Sequence, residues 1–292
     1  MTATTQAPTD GRWPNVNRLY VIIPLIFLTL CFLIPLAKLF YLSLFQVESV
    51  GVVGDSVSLA NYARFLGDFF YLKILLVSVG LGFASTVICV IMGYPVAYKI
   101  ARTRGRARAL VMACVVLPLW VSITIRMFGW MAVLTQNGLI NSLLKSLHLV
   151  DNPATFIGTY LGVLAGLVHC GLPFMIMTLI SPIENVSPDL ENASYVFGGG
   201  FWYTFFRVVL PLTVPGIFSA SLLVFALNTA AFMVPMMLGG GKIVVMTTLM
   251  YQQALFVYDW PFTAAIAVIL MITSMTLVVV SRRLARGSKM TF

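Results

Sequence analysis

A chain of 292 residues that is 60% hydrophobic and only 9% charged has too few ionised side chains to cover a water-soluble domain. Its mean hydropathy of +0.98 is typical of a protein with several membrane-spanning helices. The net charge of +9 lies in short segments between apolar runs, where it is explained by membrane orientation and does not require a nucleic-acid partner.

Six apolar stretches are long enough to cross the roughly 30 Å of hydrocarbon in a bilayer, because a helix needs about 20 residues for that distance. The sequence therefore predicts an all-α polytopic membrane protein with six transmembrane helices. The predicted transmembrane domain covers residues 19–285, between an N-terminal tail of residues 1–18 and a C-terminal tail of residues 286–292. Its spans are predicted at about residues 19–45, 72–98, 109–134, 156–181, 212–238 and 262–281.

The lysines and arginines between these spans fall mainly on one side of the predicted membrane. Cytoplasmic loops carry an excess of Lys and Arg, so this asymmetry predicts that both termini and the loop between the fourth and fifth spans are cytoplasmic. A basic nucleic-acid module is the alternative interpretation of residues 99–108, and the flanking spans disfavour it. Twelve basic residues lie on the cytoplasmic side, namely Arg12, Arg18, Lys99, Arg102, Arg104, Arg106, Arg108, Arg207, Arg282, Arg283, Arg286 and Lys289, against Arg64, Lys73, Lys145 and Lys242 on the other.

The loop after the first span, residues 46–71, is predicted to lie outside the cell. Ser58 is a good helix N-cap, so a short helix is predicted over residues 59–70. The glycines and valines before Ser58 predict an irregular start to this loop.

The loop between the fourth and fifth spans, about residues 184–211, has the clearest local pattern. Ser187 is a good N-cap, Pro188 suits the first helical position, and Asp189 and Glu191 complement the positive end of a helix. Gly198 begins a run of three glycines that predicts the end of this helix. A short amphipathic helix with apolar residues at positions 190, 193 and 197 indicates a docking surface for a soluble partner.

This loop resembles the EAA loop of ABC-importer permeases, which has Glu-Ala-Ala, a Gly six residues after the Glu and a Leu-Pro about a dozen residues later. Counting back six residues from Gly198 reaches Asn192, so Glu191 is displaced by one position. Either residue takes the acidic role of the motif, and the sequence leaves that choice open. The resemblance implies that the residues coupling the chain to an ATPase are Glu191, Asn192, Ala193, Gly198, Leu210 and Pro211.

Several further motifs, in the right order over residues 18 to about 285, resemble the spermidine/putrescine class of ABC permease. They are Asn61-Tyr62, Tyr71-Leu72, Gly93–Tyr98, Pro118–Trp120 with Arg126, Asn137–Asn141, Leu238–Gly241 and Asp259–Phe262.

The resemblance implies an importer in the bacterial plasma (inner) membrane. Its expected partners are an ABC ATPase dimer, a second permease subunit that makes a heterodimer, an extracytoplasmic solute-binding protein and the lipid bilayer. This chain is then not an enzyme and holds no cofactor, because ATP and magnesium bind to the partner ATPase. The implied solute is a polyamine or a related amine, and an opine or an amino-acid-like zwitterion is the alternative.

Five residues are candidates for the substrate pathway. Arg126 is a charge inside a predicted span, which marks either a pathway or a structural arginine. Asn228 and Thr229 either line the pathway or join helices, whereas Trp130 and Asp259 are expected near the outer mouth. No predicted span contains Asp or Glu, which disfavours a secondary transporter driven by protons or sodium. No catalytic or metal-ligating pattern is recognised.

Overall fold

The computed structural model describes residues 15–49, 51–147 and 155–287, so residues 1–14 and 288–292 of the predicted tails lie outside the described residues. Five helices in the described part are long and apolar enough to cross a membrane, or six when one bent pair counts as a span. The predicted helical, polytopic class is confirmed. The elements are α1 (Asn15–Ser43), β1 (Phe45–Ser49), β2 (Val52–Val57), α2 (Ala60–Gly67), α3 (Phe69–Arg102), α4 (Gly105–Trp120), α5 (Ile123–Leu134), α6 (Leu139–Ser146), α7 (Tyr160–Glu184), α8 (Pro188–Val196), α9 (Phe201–Thr204), α10 (Leu210–Thr229), α11 (Met233–Leu238), α12 (Met246–Gln252) and α13 (Trp260–Gly287).

The segment after α1 forms a β-hairpin, which the sequence pattern does not indicate, and its pairing is irregular, with register shifts between Phe45 and Val47 and between Val47 and Ser49. Strands β1 and β2 pair antiparallel, and Gly51 between them has a φ of 78°, which glycine adopts without strain. The following helix, α2, is shorter than the predicted 59–70, because the chain is extended at Asp68. The Asp68 side chain instead caps α3 by accepting a hydrogen bond from the Phe70 N–H (2.8 Å).

The predicted third span, residues 109–134, is bent rather than straight. The chain bends by 96° between the segments Gly105–Trp120 and Ile123–Leu143. Pro118 has no N–H to donate to the turn before it, and the last turn of α4 closes with a bond from the Val121 N–H to the Pro118 carbonyl (3.3 Å). Val121 and Ser122 then adopt extended backbone before α5 begins.

The predicted fifth span, residues 212–238, is also interrupted, because α10 ends at Thr229 and α11 begins at Met233. Pro235 favours the break, since in a continuous helix its ring would crowd the carbonyl of Ala231 four residues earlier. That carbonyl accepts a hydrogen bond from the Thr247 hydroxyl instead (2.9 Å). A break inside an apolar span is tolerated when a neighbouring side chain satisfies the freed backbone group in this way.

Three apolar clusters hold the bundle together, and α3 contributes to each of them. The first joins α3 to α7 and α10, the second joins it to α5, α7 and α11, and the third joins it to α2, α12 and α13. By contrast, α1 packs against α13 at the edge of the bundle, and the most apolar part of α1 buries none of its side chains. Fully buried members of the clusters include Cys89, Leu179 and Val224, then Met127, Leu167 and Leu238, then Phe65, Met246 and Phe262.

The bundle has two distinct ends. At one end, the last turn of α3 meets α8 through an ion pair between Arg102 and Glu191. At the other end, the hairpin and α2 lie beside the start of α13, where Arg64 pairs with Asp259 (3.1 Å). These are called the α8 end and the hairpin end below.

We predict that replacing Thr247 by Val destabilises the protein, because the Ala231 carbonyl then loses its partner at the break between α10 and α11. The free energy of unfolding should fall by about 1 kcal/mol, which is typical of one lost hydrogen bond. Denaturant unfolding of the purified chain in detergent micelles measures this change. Thr247→Ser is the control, because it keeps the hydroxyl and should lose much less stability. Equal stability of Thr247→Val and the unmodified chain would contradict this role.

Candidate coupling element and membrane pathway

The loop between α7 and α10 folds as the short helix α8 and a glycine turn, as the sequence predicts. The Ser187 hydroxyl caps the helix by accepting a hydrogen bond from the Asp189 N–H (3.2 Å), and Pro188 occupies the first turn. At the other end, Gly198 has a φ of 83°. The N–H groups of Gly198 and Gly199 donate to the carbonyls of Tyr195 (3.0 Å) and Ser194 (2.9 Å), which is the usual hydrogen-bond pattern of a left-handed helix cap.

The carboxylate of Glu191 is turned inward. Its Oε1 accepts hydrogen bonds from Nε (2.9 Å) and Nη2 of Arg102, and its Oε2 accepts one from the Tyr98 hydroxyl (2.7 Å). Glu191 is buried although α8 lies at an end of the bundle. Both carboxylate oxygens therefore bind side chains from α3.

The next two residues of the predicted coupling motif face solvent. Asn192 and Ala193 are both exposed. The acid Glu191 therefore points into the bundle, whereas the amide of the next residue, Asn192, faces solvent. The structure places Glu191 and Asn192 in these two environments, whereas their part in coupling stays a prediction.

Leu210 and Pro211 begin α10. Leu210 packs against the cluster of α3, α7 and α10. A π-helical turn over Phe205–Val209 directly precedes Leu210, whose N–H donates a hydrogen bond to the carbonyl of Phe205. A regular α-helix would bring the proline ring against the carbonyl four residues earlier, and the wider turn changes that geometry.

Large apolar side chains around α8 and α9 are exposed. Phe197 is 90% and Trp202 68% exposed, although aromatic side chains of this size are normally covered in a folded protein. A depression of about 540 Å³ lies beside Phe197. It is also lined by Leu190, Ser194, Gly198, Gly199, Gly200, Tyr203 and Val208. We call this surface the α8 apolar patch and define it as Leu190, Val196, Phe197, Trp202 and Tyr203.

Arg126 and Trp130 lie one turn apart on α5 and face α7. The Trp130 ring meets the His169 ring edge-on at 5.8 Å between centroids, and Arg126 is close enough to His169 to interact with it electrostatically. The Nε and Nη1 atoms of Arg126 are buried and have no hydrogen-bond partner among the described residues. This is a guanidinium with unused donors inside an apolar part of the bundle.

Asn228 and Thr229 lie at the end of α10, next to the break, and are buried. The Asn228 amide donates to the Ser85 hydroxyl on α3 (2.8 Å). Thr229 packs so closely over Gly82 that a Cβ at Gly82 would overlap its hydroxyl. These contacts join α10 to α3. A part in the pathway stays a prediction for both residues.

Asp259 lies apart from the other pathway candidates, at the hairpin end. Its Oδ1 caps α13 by accepting a hydrogen bond from the Phe262 N–H (3.0 Å), and its Oδ2 accepts one from Arg64 (3.1 Å). The Arg64 guanidinium also lies 4.0 Å from the centroid of the Phe262 ring. Both carboxylate oxygens thus stabilise the junction of α2 and α13, and a contact with solute is untested.

Little in the sequence indicates the partners of these residues. The pattern of basic residues places Arg102 among the charges that set orientation, and no motif pairs Ser85 with Asn228 or Arg64 with Asp259. The one available signal was the four-residue spacing of Tyr98 and Arg102, which puts both side chains on one face at the end of a span.

Comparison with known proteins agrees with this architecture. Residues 89–288 match the family described as binding-protein-dependent transport system inner membrane component. The spermidine/putrescine transport system permease protein PotB of Escherichia coli (strain K12) is 34% identical over 78% of this chain and 83% of that protein. The protein of the same name from Haemophilus influenzae is 32% identical over 73% of this chain and 74% of that protein.

A solved structure shares the fold. A chain in the crystal structure of a bacterial alginate ABC transporter, in complex with an alginate pentasaccharide-bound periplasmic protein, aligns with a TM-score of 0.77. The alignment covers 95% of this chain and 98% of that chain at 18% identity, a level that bears on the fold alone. With a family match over most of its length and relatives above 30% identity, this chain belongs to the binding-protein-dependent transport system inner membrane components, the permease subunits of ABC importers.

Proposed function

We propose that this permease carries a polyamine such as spermidine or putrescine across the bacterial plasma (inner) membrane, driven by a separate ATPase. The observation that carries the proposal is α8, a capped helix that buries its acid against α3 and exposes an apolar patch. The polyamine part rests on the relatives, which are named as spermidine/putrescine permeases at 32% to 34% identity.

The partner of the α8 apolar patch is a soluble ABC ATPase dimer, which binds the ATP and magnesium that this chain does not. Exposed Phe197 and Trp202 supply apolar contact area, and exposed Asn192 supplies a polar contact beside them. When ATP closes the ATPase dimer, α8 moves with it, and the bundle changes between inward-facing and outward-facing states.

Two further partners follow from the same proposal. A second permease subunit completes the pathway, as the family resemblance implies. An extracytoplasmic binding protein delivers the solute at the hairpin end. The related alginate transporter was solved together with a periplasmic protein, which supports a partner of this kind.

The basic residues support an orientation with the α8 end in the cytoplasm. Arg102, Arg104, Arg106, Arg108 and Arg207 all lie near that end. The opposite loops contain fewer basic residues, and Arg64 is paired with Asp259 there. Positive charge near membrane spans is retained on the cytoplasmic side.

A second candidate solute is favoured by one observation. The buried Nε and Nη1 atoms of Arg126 have no partner among the described residues, and a guanidinium with free donors is suited to a carboxylate. An opine or an amino-acid-like zwitterion carries such a group, whereas a polyamine does not.

The orientation predicts a labelling pattern in intact cells. Single cysteines at Asp55 or Lys242 should react with a membrane-impermeant maleimide, whereas cysteines at Arg104 or Asn192 should react only after the cells are opened. All four positions are exposed, so access to the side chain does not bias the comparison. The four native cysteines are replaced beforehand. Labelling of Asn192→Cys in sealed cells would reverse the proposed orientation.

The coupling role predicts that Gly198→Val impairs transport. A Cβ at Gly198 meets nothing within 4 Å, so the change acts only through its φ of 83°, which costs a residue other than glycine about 1–2 kcal/mol. Uptake and solute-stimulated ATP hydrolysis by the reconstituted transporter should fall together, by about tenfold if α8 leaves its docking geometry.

Gly200→Val is the matched control for Gly198→Val. A Cβ at Gly200 also meets nothing within 4 Å, but its φ of −75° suits any residue. Near-normal transport is expected in this control. Full transport in Gly198→Val would refute the assignment of the loop.

The choice between solutes predicts opposite results for Arg126→Gln. Spermidine uptake should stay within about twofold of the unmodified transporter, because a cation gains nothing from a guanidinium. Uptake of a carboxylate-bearing solute should fall by about ten- to a hundredfold, as expected for one lost charged hydrogen bond. Membrane abundance of the variant is measured in parallel, because an arginine needed only for folding would lower abundance and uptake together.

A further inference from the structure

The α8 end contains a side-chain cluster whose part in transport is not assigned by the family resemblance. Arg102 donates to Glu191 through Nε and Nη2, and Nη2 also donates to the carbonyl of Val186 (2.9 Å). Tyr98 donates to the other oxygen of Glu191 (2.7 Å). We call these four residues the Arg102 clamp.

The clamp connects three segments through one guanidinium. Tyr98 and Arg102 belong to the last turns of α3, Val186 lies in the short link after α7, and Glu191 lies on α8. Residues 102 and 191 are 89 positions apart in the chain. The clamp therefore gives α8 a direct connection to α3, which the backbone does not provide.

The clamp is shielded from water. The Arg102 side chain is 19% and the Glu191 side chain 10% exposed. Hydrogen bonds between ionised groups are stronger than neutral ones, and low exposure limits their screening by salt. If either partner is removed, the other is left as a poorly compensated, partly buried charge.

A second ion pair at the same end has a different character. Arg108 of α4 pairs with Glu184 of α7 at 2.6 Å, but these side chains are 39% and 35% exposed. Exposed pairs contribute little to stability because water and salt screen them. This pair is a matched control, since it joins two helices at the same end and does not touch α8.

Given the proposed function, we propose that the Arg102 clamp transmits the movement of α8 to α3, so that Arg102 and Tyr98 are positioning residues for energy coupling. Glu191 is buried and both of its oxygens bind α3 side chains, so the proposal assigns it to the clamp and not to the contact with the ATPase. The polar contact to the ATPase falls to exposed Asn192, at the position where the family motif has its acid. In this proposal Glu191, the displaced acid, belongs to the clamp, whereas Asn192, at the position of the motif's acid, contacts the ATPase.

The experiment measures spermidine imported per ATP hydrolysed by the complete transporter in proteoliposomes. Arg102→Gln and Glu191→Gln should each lower this ratio by about tenfold or more, which is the range of typical coupling free energies. The double variant should be no worse than either single variant, because the two residues act as one unit. Arg102→Lys keeps the charge and should recover most of the loss.

The controls separate coupling from assembly and from the proposed function. Arg108→Gln should change the ratio by less than about twofold, as expected for an exposed pair. An unchanged ratio in Arg102→Gln or Glu191→Gln, or an equal loss in Arg108→Gln, would overturn the proposal. If the unmodified transporter itself imports no spermidine, the proposed solute is wrong, and the ratio is measured with the solute that its binding protein delivers.

Tyr98→Phe tests the clamp even where the charge variants do not assemble. It removes one hydroxyl from Glu191 and leaves the ion pair with Arg102 in place. The ratio should fall by about threefold, which corresponds to one modest hydrogen bond. An assembled Tyr98→Phe transporter with an unchanged ratio would exclude the clamp from coupling.

Discussion

The rest of the structure depends on the close approach of α3, α7 and α10. Lipid is as apolar as the side chains of a membrane helix, so helices associate through tight van der Waals contact and a few hydrogen bonds. A Cβ on Gly171 of α7 would lie 2.9 Å from Val224 and 3.1 Å from the Asn228 amide, both on α10. The missing side chain lets the two backbones come together, and Asn228 then reaches Ser85 on α3.

This three-helix core is the part of the bundle that α8 would move in the proposed coupling role. Helix α8 follows α7 in the chain, and α9 and a π-helical turn link it to α10. The Ser194 and Thr204 hydroxyls, 2.8 Å apart, hold α9 against α8. With Arg102 holding it to α3 as well, α8 is attached to all three helices. Because packed interiors transmit displacement rather than absorb it, a push on α8 is shared by the three helices together.

The sequence predicted what depends on local chemistry and missed what depends on distant neighbours. The length of an apolar stretch is enough to predict a span. The ease with which glycine adopts a positive φ is enough to predict that α8 ends at Gly198. Pro235 does not by itself predict the break that precedes it, because other prolines, such as Pro95 and Pro173, lie inside continuous helices. At this break the freed carbonyl of Ala231 accepts a hydrogen bond from Thr247, which is 16 residues away in the chain.

The Glu191–Arg102 pair was missed for a related reason. The number of basic residues at the end of the second span predicts the orientation of the chain. That number does not indicate which acidic residue each of them pairs with. The sequence leaves open whether Glu191 or Asn192 takes the acidic role of the motif, and it does not indicate that Glu191 points inward. Only the fold brings Arg102 and Tyr98 to the inner face of α8.

The distribution of polar groups suits a pathway that a cation crosses without stopping. Conduction requires that a solute bind well enough to enter but weakly enough to leave. The predicted spans contain no Asp or Glu, and polar side chains such as Asn228 and Asp259 already have partners in the protein. The predicted spans therefore offer a polyamine no carboxylate to bind, which is consistent with the proposal that a separate binding protein recognises the solute. Arg126, Thr229 and Gln253 are exceptions among the described residues, because each has a buried polar atom with no hydrogen-bond partner. Of these, the charged side chain is that of Arg126. Within about 4 Å it would repel a cation by roughly 4 kcal/mol at a protein-like dielectric, so a polyamine route must keep its ammonium groups away from α5 at that depth.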